Sequence, residues 1–195
     1  MSTLKSITEN ELNEILKAGE KIVLNSVDFY RMDLSDKDFS NASLVHCNFS
    51  QTKCEGTNFS QANLTGSDFT GANLMKANFS GSILVEAVFL NAILMNAIFT
   101  DSISYDATFS EVKNKTDLSH CNFQNAALDN ANFNGAICKD ASFKGACLIN
   151  VDFSNSDLSY SDFFGAYCYE TNFTDSNTHG CKKLVCREFS KKIGE

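Results

Sequence analysis

Residues 62–81 read Ala62-Asn63-Leu64-Thr65-Gly66, Ser67-Asp68-Phe69-Thr70-Gly71, Ala72-Asn73-Leu74-Met75-Lys76 and Ala77-Asn78-Phe79-Ser80-Gly81. Each group of five places a small residue first, Asn or Asp second, and Leu or Phe third. A helix repeats its apolar residues every 3.6 positions and a strand every 2, so a period of five fits neither. A chain that turns a corner every five residues does fit. Four such sides close a square coil of 20 residues, with the large centre and the small residue two before it pointing inward. Successive coils then stack about 4.8 Å apart through parallel backbone hydrogen bonds. Each unit buries its apolar side only against its neighbours, the logic of a solenoid.

The pattern runs far beyond this stretch. Phe recurs at 29, 39, 49, 59, 69, 79, 89, 99 and 109, and again at 123, 133, 143, 153, 163 and 173. Midway stand Leu34, Leu44, Leu64, Leu74, Leu84, Leu94, Leu118, Leu128, Leu148 and Leu158, with Cys54, Ser104, Cys138 and Cys168 in the remaining slots. The alternation predicts that Phe lines two opposite sides of the coil and Leu the other two. One interruption occurs: Phe109 and Leu118 are nine residues apart. An insertion of four residues keeps each Phe column on its own side, and predicts a small loop around Glu111 to Lys115.

From about Ile22 to Thr178 these units resemble the pentapeptide-repeat family, whose consensus is A(D/N)LXX. The resemblance implies an all-β fold, a right-handed quadrilateral parallel β-helix of about 7–8 coils. The expected organisation is a capping helix in 1–21, the β-helix over 22–178 with a four-residue insertion within 110–117, and a capping helix or tail over 179–195. Exposed coil ends need such covers. Thr8-Glu9-Asn10-Glu11 is a capping box with Ile7 and Leu12 set as a hydrophobic staple, so a helix is predicted from Glu9 to Ala18, stopping at Gly19. Leu12, Ile15 and Leu16 would face the first coil. A second helix is predicted over Lys182 to Ile193, with Leu184, Val185, Phe189 and Ile193 apolar.

The formal net charge is −8. Asp28 to Thr178 holds 18 acids against 8 bases, whereas His179 to Glu195 holds 2 acids against 5 bases. An acidic body argues against direct nucleic-acid binding and against anionic membranes. No apolar run approaches the ~18 residues of a membrane span, and the N-terminus lacks a secretory pattern, so a cytoplasmic protein with reduced thiols is expected.

Little in the sequence points to catalysis. Of the three histidines, His46 and His120 lie at outward positions of separate coils and His179 follows the last repeat; no phosphate loop or HExxH motif occurs, and the frequent Asp and Asn before each centre form a periodic, solvated set. Cys47, Cys54, Cys121, Cys138 and Cys168 occupy inward slots and read as core thiols. His179, Cys181 and Cys186 supply fewer ligands than a zinc site wants. No catalytic, cofactor or metal residue is therefore expected, and the chain reads as a non-enzyme.

Two surface features exceed what the repeat requires. Ile83, Val88, Ile93, Ile98 and Ile103 stand where Asp or Asn is usual, and Val85, Leu90 and Met95 add to them at neighbouring outward slots. Together they read as an apolar girdle around slightly more than one coil, a candidate protein-binding surface. Tyr160, Phe164, Tyr167 and Tyr169, with Phe189, form a candidate C-terminal contact, covered by the terminal helix or used in a homodimer. The functional expectation is a rigid acidic rod that presents a protein-binding surface to a partner of unknown identity. The alternative, implied by the family resemblance, is a DNA mimic that binds DNA gyrase or topoisomerase IV and protects it from quinolones or toxins.

Overall fold

A computed structural model describes residues 4–110 and 115–182. Parallel bridges join each residue before a centre to the one 20 positions later: Val23 to Ser43, Asp28 to Asn48, Asp33 to Lys53, Asp38 to Asn58. Four 5-residue sides thus close one coil. Its four sides are those of Phe29, Leu34, Phe39 and Leu44, the last also holding Leu24 one coil below.

The ladder alternates direction of donation. Phe29 N–H donates to the Asn48 carbonyl at 2.8 Å, and Asn48 N–H donates back to the Val27 carbonyl at 3.0 Å. At the interruption the spacing becomes 24: Ile93 pairs with Asp117, Ile98 with Asn122 and Ile103 with Ala127. It returns to 20 from Asp117 to Ile137. The four extra residues are therefore an insertion that leaves every column on its side. Residues 111–114 of the expected loop lie outside the described residues.

Most corners are β-turns closed by the N–H of the residue in the small slot donating to the preceding centre's carbonyl, as Met32 does to Phe29 (2.9 Å) and Ala62 to Phe59 (3.1 Å). The third turn residue has positive φ at Gly66 and Gly71, and likewise at Asn91, Asn96 and Asp101. The residue before it does not, which is the type II pattern. This conformation suits Gly, Asn and Asp, and explains their frequency two places after each centre.

The core follows from the alternation. Phe29, Phe49 and Phe69 stack in one column with ring centroids 4.7 Å apart at each step. Phe39, Phe59 and Phe79 stack in the opposite column. The columns meet edge to face, Phe69 against Phe79 at 5.7 Å and 87°, a favoured aromatic arrangement. Phe99 stacks on Phe123 across the insertion at 4.7 Å. Ser and Thr are tolerated inside because their hydroxyls reach carbonyls: Ser82 Oγ donates to Phe79 (2.7 Å), Thr57 Oγ1 to Leu34 (2.8 Å).

At the N-terminal end, β1 (Lys5–Ser6) pairs in parallel with β2 (Val27–Asp28), a contact the repeat does not announce. Helix α1 (Glu9–Lys17) begins at Thr8, whose side chain accepts from Glu11 N–H while Glu11 accepts from Thr8 N–H. It ends at Ala18, before Gly19 at φ +68. Leu12 is fully buried in the core, and Ile7 and Leu16 pack partly against it. The remaining extended pairs are β3 (Thr108–Ser110) with β4 (Asn132–Phe133), and β5 (Cys147–Ile149) with β6 (Tyr167–Tyr169). The expected C-terminal helix over Lys182 to Ile193 falls on 183–195, outside the described residues, apart from Lys182, which bridges Asp162.

Candidate interaction face

The outward surface is organised by the residue before each centre. Where it is Asp or Asn, its Oδ1 accepts from the backbone N–H two residues on: Asp28 from Tyr30 (3.0 Å), Asp38 from Ser40 (2.9 Å), Asp68 from Thr70 (2.8 Å). These carboxylates and amides satisfy a corner donor that the coil-to-coil ladder does not use, and they also link coils, as Asn48 Nδ2 donates to Asp28 (2.8 Å). The sequence reading took them as a merely solvated set. Their regular spacing was visible, but the corner geometry that gives each one a donor was not. Hydrogen bonds from Ser35 and Ser40 hold the Asp33 and Asp38 carboxyls below the usual carboxylate range.

The girdle residues interrupt this scheme. Ile83, Val88, Ile93, Ile98 and Ile103 carry no acceptor for the corner donors of Val85, Leu90, Met95, Thr100 and Tyr105. Ile83, Ile93, Ile98 and Ile103 are exposed, while Val88, Val85, Leu90 and Met95 are half-buried. The first four residues do occupy all four sides of one level. On three sides, however, the apolar band is a single residue tall: Val88 lies between Asp68 and Thr108, Ile93 between Asn73 and Asp117, and Ile98 between Asn78 and Asn122.

The Leu44 side differs. There the bridges run Ile83, Ile103, Ala127, Cys147 and Tyr167, five levels without an Asp or Asn before the centre. Val85, Tyr105, Asp129, Ile149 and Tyr169 follow the centres on the same levels. Tyr105 is 39%, Tyr167 48% and Tyr169 46% exposed. β5 and β6 form the upper end of this strip. The girdle and part of the tyrosine group are thus one apolar face along the rod, a relation that appears only when residues 20 and 24 apart are read together.

The C-terminal group does not converge. Tyr167 and Tyr169 share the Leu44 side, Phe164 lies on the Phe39 side, and Tyr160 occupies a corner at φ 61 with its ring against His179. All four are exposed, and the helix expected to cover them falls outside the described residues. Their spacing of two to four residues spreads them around the coil. Phe189 lies outside the described residues.

The described cysteines take inward slots, except Cys147, which stands before the centre Leu148 and faces outward. Cys47, Cys54, Cys121, Cys138 and Cys168 are buried, and none of the seven cysteines among the described residues is in a disulfide. Burial pushes Cys47 up to about 11 and Cys54 to about 12. Cys147, half-buried on the Leu44 side, is also pushed up to about 11, by burial and the neighbouring Asp129. Among the described residues no group of His, Cys, Asp and Glu is placed to hold a metal, and no helix is long and apolar enough to cross a membrane. A hollow of about 480 Å³ lies between α1 and the first coil, lined by Ile7, Glu11, Glu14, Ile15, Leu24 and others.

The family profile of the pentapeptide repeats matches eight copies, over residues 23–53, 42–81, 72–103, 114–149 and 136–175. The chain belongs to the pentapeptide-repeat family. None of the curated proteins matches it significantly. Among solved structures it is similar to a trypsin-treated form of QnrB1, described as a plasmid-mediated fluoroquinolone resistance protein, with 20% identity, TM-score 0.49 and coverage of 84% of this chain and 91% of that one. It is also similar to HetL from the cyanobacterium Nostoc sp. strain PCC 7120, described as involved in heterocyst differentiation regulation, with 21% identity, TM-score 0.34 and coverage of 90% and 94%. Rfr23 from Cyanothece 51142 follows at 15% identity, TM-score 0.28 and coverage of 78% and 88%.

Proposed function

We propose that the chain is a non-enzymatic, cytoplasmic interaction module: a right-handed solenoid rod that offers its Leu44 side to a protein partner. The observation that supports this is the unbroken stack of Ile83, Ile103, Ala127, Cys147 and Tyr167 on successive coils, in a slot that most often carries Asp or Asn. Contiguous apolar patches of a few hundred Å² on soluble proteins mark contact surfaces. A rigid coil stack also keeps these side chains in fixed positions, so little entropy is lost on docking.

The test compares two double variants in capture from the native host. Ile83→Asn with Ile103→Asn strips the Leu44 side; Ile93→Asn with Ile98→Asn strips two other sides and serves as control. Loss of a captured protein with the first pair alone is the expected result, and equal retention by both pairs refutes the reading.

A second reading is favoured by a different observation. Asp28, Asn48 and Asp68 form a polar ladder on the Phe29 side, continued above by Asn132, Asp152 and Asn172, within an acidic body. Such a surface would serve a DNA mimic that engages gyrase or topoisomerase IV. A supercoiling assay with and without quinolone tests it: protection at stoichiometric protein supports mimicry, and unchanged inhibition rejects it.

A further inference from the structure

We infer that the occupant of the Leu44 side is a single basic amphipathic segment of a partner protein rather than a second copy of this chain. The inference rests on the proposed use of this side and adds the chemistry of what it binds. The rim decides the charge. The corners on either side of the strip carry Glu86, Asp101, Asp106 and Glu170, all exposed, and Asp129 lies within it. No Lys or Arg occupies a corner or outward position of this side between Ile83 and Glu170. Lys144 on the adjoining Phe39 side is already paired with Asp162 at 3.3 Å.

Two copies meeting through this face would set acid against acid in any isologous arrangement, because the same rim faces itself. Size points the same way. Five levels span about 19 Å, and one side of five extended residues is at most about 16 Å wide. That is a strip of roughly 300 Å², against about 800 Å² per partner in a standard protein interface. A helix of about 13 residues covers 19 Å. An apolar stripe on such a segment would lie on Ile103 and Tyr167 while flanking Lys or Arg reached the rim acids.

The probe is a fluorescein-labelled 13-residue Leu/Lys amphipathic peptide, with its Leu/Glu counterpart as control, titrated by anisotropy against the full chain. The Leu/Lys peptide is expected to bind, the Leu/Glu peptide not. Ile83→Asn with Ile103→Asn should weaken binding about tenfold or more, whereas Ile93→Asn with Ile98→Asn, of identical charge, should change it less than about twofold. Equal weakening by both pairs, or none, overturns the inference by showing that the peptide merely follows net charge. Self-association of the full chain that the first pair abolishes assigns the face to a second copy and overturns it. Binding that appears only after removal of residues 183–195 assigns the face to the chain's own tail and overturns it too. Loss of the native partner with the first pair, but no peptide binding at that side, leaves the interaction face standing and refutes its partner chemistry.

Discussion

Ile83 lies directly beneath Ile103, joined to it by a parallel bridge on the Leu44 side, whereas Ile93, ten residues from each, lies between Asn73 and Asp117. Three side chains that look equivalent along the chain therefore have different surroundings. Two belong to a continuous apolar strip, and one is an isolated substitution in a polar column.

That difference predicts the response to polar replacement. Asn at position 93 would supply the missing acceptor to Met95 N–H, as Asn73 does to Met75 one coil below at 3.3 Å. Ile93→Asn should leave stability within about 0.5 kcal/mol of the parent or raise it. The converse change, Asp38→Ala, removes the acceptor for Ser40 N–H and should cost about 1 kcal/mol. Denaturant midpoints measured side by side check both signs.

Phe79 is fully buried, stacked on Phe59 at 5.1 Å and Phe99 at 4.9 Å, with Phe69 and Phe89 edge-on. Phe79→Ala should cost about 3–5 kcal/mol. Hydrogen exchange should locate the greatest loss of protection in the coils holding Phe59 and Phe99. Parent-like denaturation would contradict the register.

The insertion offers a sharper test of that register. Removing residues 111–114 would join Ser110 to Lys115 and leave Phe109 five residues before the former Leu118, an uninterrupted repeat. The ladder that now skips from Ile93 to Asp117 would regain a 20-residue step. The deleted chain should fold with a circular dichroism spectrum matching the parent's; an unfolded product would show that the extra residues are needed to pass the corner.

How much of this was legible in the sequence depended on the range of the signal. The period of five, the Phe columns and the Thr8 capping box are local patterns, and each is found where expected. The insertion was legible because Phe123 must remain in the column of Phe99. Positive φ at the corners was not, since a period says which residues point inward but nothing of dihedral angles. The apolar strip was missed for another reason. Its members are 20 or 24 residues apart, and the girdle was read along the chain instead of up the stack.

Thiol chemistry should follow burial. The Cys54 thiol, pushed up to about 12, stays protonated at neutral pH, and thiolate is the reactive form. Alkylation of the native protein at pH 7.5 should be slow at Cys54, Cys121 and Cys138, and fast after denaturation. A titration without reductant should count close to eight free thiols; a count near four would overturn the reduced, cytoplasmic reading.

Acid should loosen the coil corners. The folded-state pKa values of Asp33 and Asp38 are lowered by the hydrogen bonds from Ser35 and Ser40. Their contribution is therefore fully present above the unfolded value near 3.8 and is lost as pH falls through the lower folded value. Stability should be flat near neutrality and decline below about pH 4. Asp33→Asn with Asp38→Asn should flatten the acid limb, which thermal melts across pH 2–7 would show.

The most direct measurement places a photoreactive benzoylphenylalanine at position 103 or at position 98 and irradiates the protein in its native host. Both positions are outward slots before a centre, one side apart, and both now hold Ile. A discrete cross-linked product is expected from position 103 and none from position 98. Equal products from both, or a product from position 98 alone, would contradict the claim that the Leu44 side is the interaction face.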